Sequence, residues 1–209
     1  MRKKQSKSII QGVKHNKVVW LLTLSDISTW GSYYIISVIA GIYLANKLGQ
    51  NAVEIIGYGT TIYFISRAVF QIPVGIITDK LKKDSDEVLL LALGSILMGT
   101  SFIFYPFITT PVTYFFLQFL FGLGTAMNLN TWRKLFATNI SQNREGREYG
   151  MYEVLMSLSI AGFSSLAGIV ANEGGVYFDM VIVSAGLFMM TSFIWALLIL
   201  RIKSRKSAK

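Results

Sequence analysis

Residues 88–132 read VLLLALGSILMGTSFIFYPFITTPVTYFFLQFLFGLGTAMNLNTW, 45 positions without one Asp, Glu, Lys or Arg. As a single α-helix this stretch would be about 68 Å long, roughly twice the hydrocarbon thickness of a bilayer. It has to be cut once, and Tyr105-Pro106-Phe107-Ile108-Thr109-Thr110-Pro111 supplies the place, a short chargeless turn with two prolines and two threonines. Residues 27–46 and 180–200 add uncharged runs of 20 and 21. With 53% of its 209 residues hydrophobic, the chain is too apolar for a soluble domain. That excludes a soluble enzyme and a disordered chain, and the absence of cysteine excludes a disulfide scaffold, a thiolate metal site and a cysteine nucleophile. The apolar runs are continuous rather than alternating, which excludes a β-barrel. The expected fold is an all-α membrane protein with six transmembrane helices, over 18–46, 53–78, 88–107, 112–138, 150–171 and 177–200.

The basic residues set an orientation. Of the twenty Lys and Arg, six lie in the segment 1–17, three between the second and third helices, four in the region from the end of the fourth helix to the start of the fifth (Arg133, Lys134, Arg144 and Arg147), and five in the tail 201–209. The loops of the other side hold only Lys47, and Arg67 falls inside a span. Both ends are therefore expected in the cytoplasm, flanking a helical domain 18–200 in the cell membrane. The formal charge of +9 is mainly this topology signal. It also favours anionic lipid headgroups, whereas nucleic-acid binding would need stacking aromatics on a folded basic surface and is not expected. The first span is too long for a signal-peptide core, carries Asp26 and lacks a small-x-small cleavage site, so it is read as a retained helix. His15, in the basic leader, reads as a solvated or headgroup-level residue, not a ligand.

The segment Arg67-Ala-Val-Phe-Gln-Ile-Pro-Val-Gly75-Ile-Ile-Thr-Asp79-Lys80-Leu-Lys82-Lys83 resembles the loop signature of the major facilitator superfamily: a Gly, three residues, an Asp, a basic residue and further basic residues. It stands where that signature stands, at the cytoplasmic end of the second helix. Gln118 to Ala126 in the fourth helix and Arg144 to Tyr152 leading into the fifth are similar to two more family stretches. The resemblance covers one six-helix half of the usual twelve-helix architecture. Lys82 stands where the signature usually has Gly, Gln118 where the fourth helix usually has Arg, and the fifth helix has no Gly-Pro pair, so the usual antiporter proton relay is not implied. No three-plus-three repeat is visible in the letters, though the family's fold contains one.

Asp26 and Arg67 are the charges deep within spans, each costing about 2.5 to 3.5 kcal/mol at a helix centre. Two readings stand side by side: a buried ion pair between the first and second helices, or a proton- or substrate-coupling pair. Asn128 and Asn130 lie at the depth of Asp26. The resemblance implies that the first and fourth helices line the central cavity, which makes Trp30, Tyr33, Gln118, Asn128 and Asn130 expected cavity residues; the competing reading is interhelical glue and packing. The resemblance further implies a cytoplasmic gate of Gly75, Asp79, Lys80, Lys83 and Arg133. It also implies a parallel homodimer in which the second helix of one copy, through Gly57, Thr61 and Ala68, packs on the partner's fifth helix through Ser157, Ala161 and Ser165. The boundary acids Glu54, Glu148, Glu153, Glu173 and Asp179 are expected to be solvated. The functional expectation is a half-size secondary transporter moving a small solute or ion by alternating access, proton-coupled, without metal or cofactor. A non-transporting scaffold or assembly subunit, and one half of a split transporter, remain the alternatives.

Overall fold

The computed structural model describes residues 16–81 and 83–207; the leader with His15, and Lys82, lie outside them. Among the described residues there are eight α-helices and no strand. Helix α1 (Lys17–Asp26) starts at Asn16, whose side chain accepts from the Val19 N–H at 3.3 Å. Its line is continued by a π-turn, Ile27–Gly31, and by α2 (Ser32–Leu48). Gly49 then breaks the helix at φ 74° and ψ −144°, a conformation open essentially to glycine. Helix α3 (Ala52–Lys80) returns, with Pro73 in its interior. Helices α4 (Asp84–Ile103) and α5 (Pro111–Asn139) follow, then α6 (Glu145–Ala171), and finally α7 (Val176–Met190) with α8 (Ser192–Ser207).

The ends of these helices follow from local chemistry. Two helices extend beyond their apolar runs: α4 starts at Asp84 and α6 at Glu145, four and five residues before the expected starts, and in α6 the first-turn carboxylates of Glu145 and Glu148 favour the helix dipole. Pro106 stops α4 at Ile103 and leaves a 3-10 turn, Tyr105–Phe107. Thr110 caps α5, accepting from the Thr113 N–H at 3.3 Å, with Pro111 in the first position.

Five helical stretches are long and apolar enough to cross a membrane, and the first of them, Lys17–Lys80, holds 64 residues. A rod of that length would measure about 96 Å. It is instead folded in two at Gly49: Tyr33 and Tyr63 stack on opposite arms against the same ring, Phe121, with centroids 5.7 and 5.1 Å away.

The packing contains the repeat that the letters hide. Helix α5 lies against α3 and α4, just as the first rod, α1 to α2, lies against α6 and the α7–α8 rod; α4 and the α7–α8 rod pack on each other. Exchanging the first three rods for the last three maps these contacts onto themselves, the pattern of two three-helix repeats. Glycines set the closest approaches. A Cβ on Gly94 would come within 2.6 Å of the Asn128 backbone nitrogen, and one on Gly99 within 2.5 Å of the Gly186 carbonyl oxygen. The stripes expected to mediate packing differ: Gly57 and Gly168 meet nothing within 4 Å, and Thr61, Ala68, Ser157, Ala161 and Ser165 are exposed.

Two apolar clusters fill the interior, one around Ile36, Phe102, Tyr114 and Phe121, the other around Leu22, Leu91, Leu135 and Ile199. Between them runs a polar relay across four rods. Asn128 donates to Ser95 at 2.9 Å, Ser95 bonds to Ser192 at 3.1 Å, and Ser192 to Ser25 at 2.7 Å. Lipid supplies no hydrogen bonds, so these donors find their acceptors in one another, while Asn128 Oδ1 stays without a partner. Gly94→Ala and Gly99→Ala should each destabilise the protein by about 1–3 kcal/mol through overpacking against backbone. Gly57→Ala and Gly162→Ala, which have open space, should not lower the melting point of the detergent-purified single chain.

Candidate functional site

At the end of the bundle where α1 begins, here called the basic end, α1, α5 and α6 enclose a cavity of about 770 Å³. Asp26, Trp30 and Tyr34 line it from the first rod, Trp132 and Arg133 from α5, and Tyr149, Tyr152, Glu153 and Ser157 from α6. Asp26 is 3% exposed and closes α1 where the backbone passes into the π-turn, a geometry frequent at functional sites. The Tyr152 hydroxyl donates to Asp26 Oδ2 at 2.6 Å. Asp26 Oδ1 is buried and makes no hydrogen bond. The Trp132 indole is fixed by donating to the Leu22 carbonyl at 2.9 Å, and its ring lies 5.1 Å from that of Tyr152. Arg133 and Glu153, which line the same cavity, are exposed. A buried carboxylate with one oxygen held and the other free can take up either a proton or an N–H donor there.

Of the residues expected around a central cavity, Asp26 and Trp30 meet here, and Arg133 joins them rather than the gate. Tyr33 and Gln118 line a separate pocket of about 220 Å³, where Gln118 donates to the Tyr114 hydroxyl at 2.7 Å. Asn128 and Asn130 are interhelical glue: Asn128 bonds Ser95, and Asn130 donates to the Gln71 carbonyl at 2.7 Å while its own oxygen accepts from the Gln71 side chain. Arg67 does not pair with Asp26; its guanidinium reaches the Tyr63 hydroxyl, 3.5 Å away, on the same helix face. The first and second rods are thus joined by aromatic packing, without the expected ion pair.

Residues 22–209 match the family model described as Major Facilitator Superfamily. The chain belongs to that family. No curated protein and no solved structure matches it. Members of the major facilitator superfamily are transporters, and the long apolar helices make this one a multi-pass membrane protein.

In this major-facilitator chain the loop signature is only partly engaged. Gly75 lies near Asn130, while Asp79, Lys80 and Lys83 are exposed at the end of α3, and Asp79 makes no hydrogen bond or ion pair among the described residues. The cation that ties α3, α4 and α5 together is the neighbour of Arg133. Lys134 donates to the Thr78 carbonyl at the end of α3 and pairs with Glu87 at 2.9 Å. Two boundary acids are likewise not simply solvated. Glu148 is buried and accepts from Ser141 N–H at 2.9 Å, Ser141 Oγ at 2.7 Å and Asn16 Nδ2 at 3.1 Å, fastening α6 to the start of α1. At the opposite end Asp179 accepts from the Tyr43 hydroxyl at 2.6 Å, with Lys47 3.9 Å away. Among the described residues no group of His, Cys, Asp and Glu is placed to hold a metal ion.

Sequence reasoning missed Tyr152, Trp132, Lys134 and Glu87 as site residues, and named Glu153 only as a solvated boundary acid. A signal was available for Tyr152 alone, since a phenol within a membrane-spanning helix needs a polar partner when buried. Because Asp26 and Arg67 do not touch, Asp26→Asn and Arg67→Ala should change the thermal stability additively, within about 0.5 kcal/mol, in a double-mutant cycle. A coupling larger than about 1 kcal/mol would restore the ion pair.

Proposed function

We propose that the chain is the membrane unit of a secondary transporter that moves a small solute by alternating access, with Asp26 as its coupling carboxylate. It crosses the membrane six times, with both ends in the cytoplasm as the distribution of Lys and Arg requires. The observation that carries the reading is the free Oδ1 of Asp26, buried in a cavity at the basic end that the exposed Arg133 and Glu153 also line. Toward the opposite side the rings of Tyr33 and Tyr63 stack on Phe121 and line the separate, smaller pocket. This conformation corresponds to access from the cytoplasm, and a proton on Asp26 is the charge that crosses with the solute or against it.

Two copies complete the unit, related by an axis along the membrane normal. The faces of α3 and α6 that would meet are apolar and unpartnered within the chain: Ile65, Val69 and Ile72 on α3, Leu158, Leu166 and Ile169 on α6 are more than half exposed. Small residues in the same faces, Ala68 and Ser157 among them, allow close approach. Ala68 and Ser157 each lie twelve residues from the basic end of their helix, so they share a level in the membrane.

In vesicles loaded with a pH-sensitive dye, a solute that collapses an imposed proton gradient through this protein should no longer do so with Asp26→Asn, while Asp26→Glu should retain part of the response. Gradient collapse unchanged by the Asn variant would remove Asp26 from coupling. On this cysteine-free background, Ala68→Cys on one tagged copy should cross-link to Ser157→Cys on another. No inter-copy product, together with a monomeric mass in detergent and in nanodiscs, would replace the homodimer by a different partner half.

A further inference from the structure

The chemistry of the Asp26 cavity narrows what it binds, and this deepening rests on reading that cavity as the solute site. Its charges are two carboxylates, Asp26 and Glu153, and one guanidinium, Arg133. With all three ionised the cavity is one negative charge in excess. A monocation brings the balance to zero, an anion worsens it, and a zwitterion leaves it unchanged. The walls are aromatic: Trp30 and Tyr34 on one side, Trp132 and Tyr149 on another. Such walls attract cations through their ring faces and cover an apolar body. Of the two oxygens of Asp26, a residue lining the cavity, Oδ1 is buried and lacks a donor, whereas Oδ2 is already held by Tyr152. A buried acceptor is satisfied by an N–H and not by a methyl group.

We propose that the solute is a protonated amine carrying an apolar, ring-sized body and no carboxylate, whose N–H donates to Asp26 Oδ1 while its body lies between Trp30, Tyr34 and Trp132. The selectivity follows from the two halves of that geometry. Aromatic walls alone accept an ammonium ion whether or not it carries hydrogens. The free oxygen discriminates, because a quaternary ammonium fills the space and leaves Oδ1 without a donor. Arg133 is exposed and offsets the exposed Glu153, so neither decides the preference at the buried end.

The test is equilibrium binding to the full-length protein in lipid nanodiscs, followed by calorimetry, with three probes: 2-phenylethylamine, its N,N,N-trimethyl analogue and phenylalanine. The amine should bind at least tenfold more tightly than either of the others. Asp26→Asn should bring the amine and its quaternary analogue to within about threefold of each other. Trp30→Ala should weaken both by similar factors, and a thermal-melt comparison with the wild type identifies a variant that has simply lost its fold. Equal binding of the amine and its trimethyl analogue, tighter binding of phenylalanine, or no amine binding by folded protein would each overturn the proposal. Transport is scored separately in proteoliposomes. Amine binding without movement would leave the substrate class standing and sink the transporter reading, and movement of another solute without amine binding would do the reverse.

Discussion

A bilayer offers no hydrogen bonds to a buried polar atom, and the interior of this protein is organised around that fact. Ser25, Ser95, Asn128 and Ser192 come from four different rods and meet between the two apolar clusters, each answering another's hydroxyl or amide. They can meet only because glycines let the rods approach: Gly94 lies against the Asn128 backbone, one residue before the serine that Asn128 holds. Close approach and polar satisfaction are thus one device, and it fixes the third rod as the post on which the fourth and sixth lean.

The two ends are held by charge. At the basic end Lys134 gathers α3, α4 and α5 while Glu148 gathers α1 and α6, so each clasp joins rods of both three-rod repeats. Between these clasps the first rod, α5 and α6 enclose the Asp26 cavity. At the other end Lys47 donates to the Pro106 carbonyl at 2.9 Å and lies near Asp179, binding the turn after α4 and the start of α7 to the end of α2. Four buried side-chain oxygens stay without a partner among the described residues, on Asp26, Gln71, Thr125 and Asn128, and of these only Asp26 carries a carboxylate and lines the cavity. An unsatisfied charge-bearing group deep in a membrane protein is costly, and that cost is what supports the proposal of a coupling role for Asp26.

The outer surface divides in a comparable way. The faces of α3 and α6 keep their apolar side chains and small residues open to the surroundings, while the glycines of α4, α5 and α7 are spent on internal contacts. The same residue type serves two purposes, and neighbouring backbone, not identity, tells them apart.

The class of fold was legible in the letters because it depends on one-dimensional quantities. An uncharged run of 45 residues with one turn, the lengths of the other runs and the lopsided placement of Lys and Arg dictate long apolar helices whatever their packing. The loop signature around Gly75 and Asp79 named the family that the match over 22–209 shows. Asp26 stood out for the same reason, as an acid where acids are expensive. Its partner did not, because partnership depends on rotation: Arg67 lies on the α3 face beside Tyr63, and Tyr152, 126 positions away, turns its hydroxyl onto Asp26. Asn128 and Asn130, two residues apart, point to different rods, since that spacing on a helix is about 200° of turn. Arg133 and Lys134 are adjacent in sequence, yet one enters the cavity and the other ties the helix ends. Sequence by itself determined that these polar groups had to be answered inside the membrane; only the tertiary structure, by setting the rotation and approach of each helix, decided what answers them.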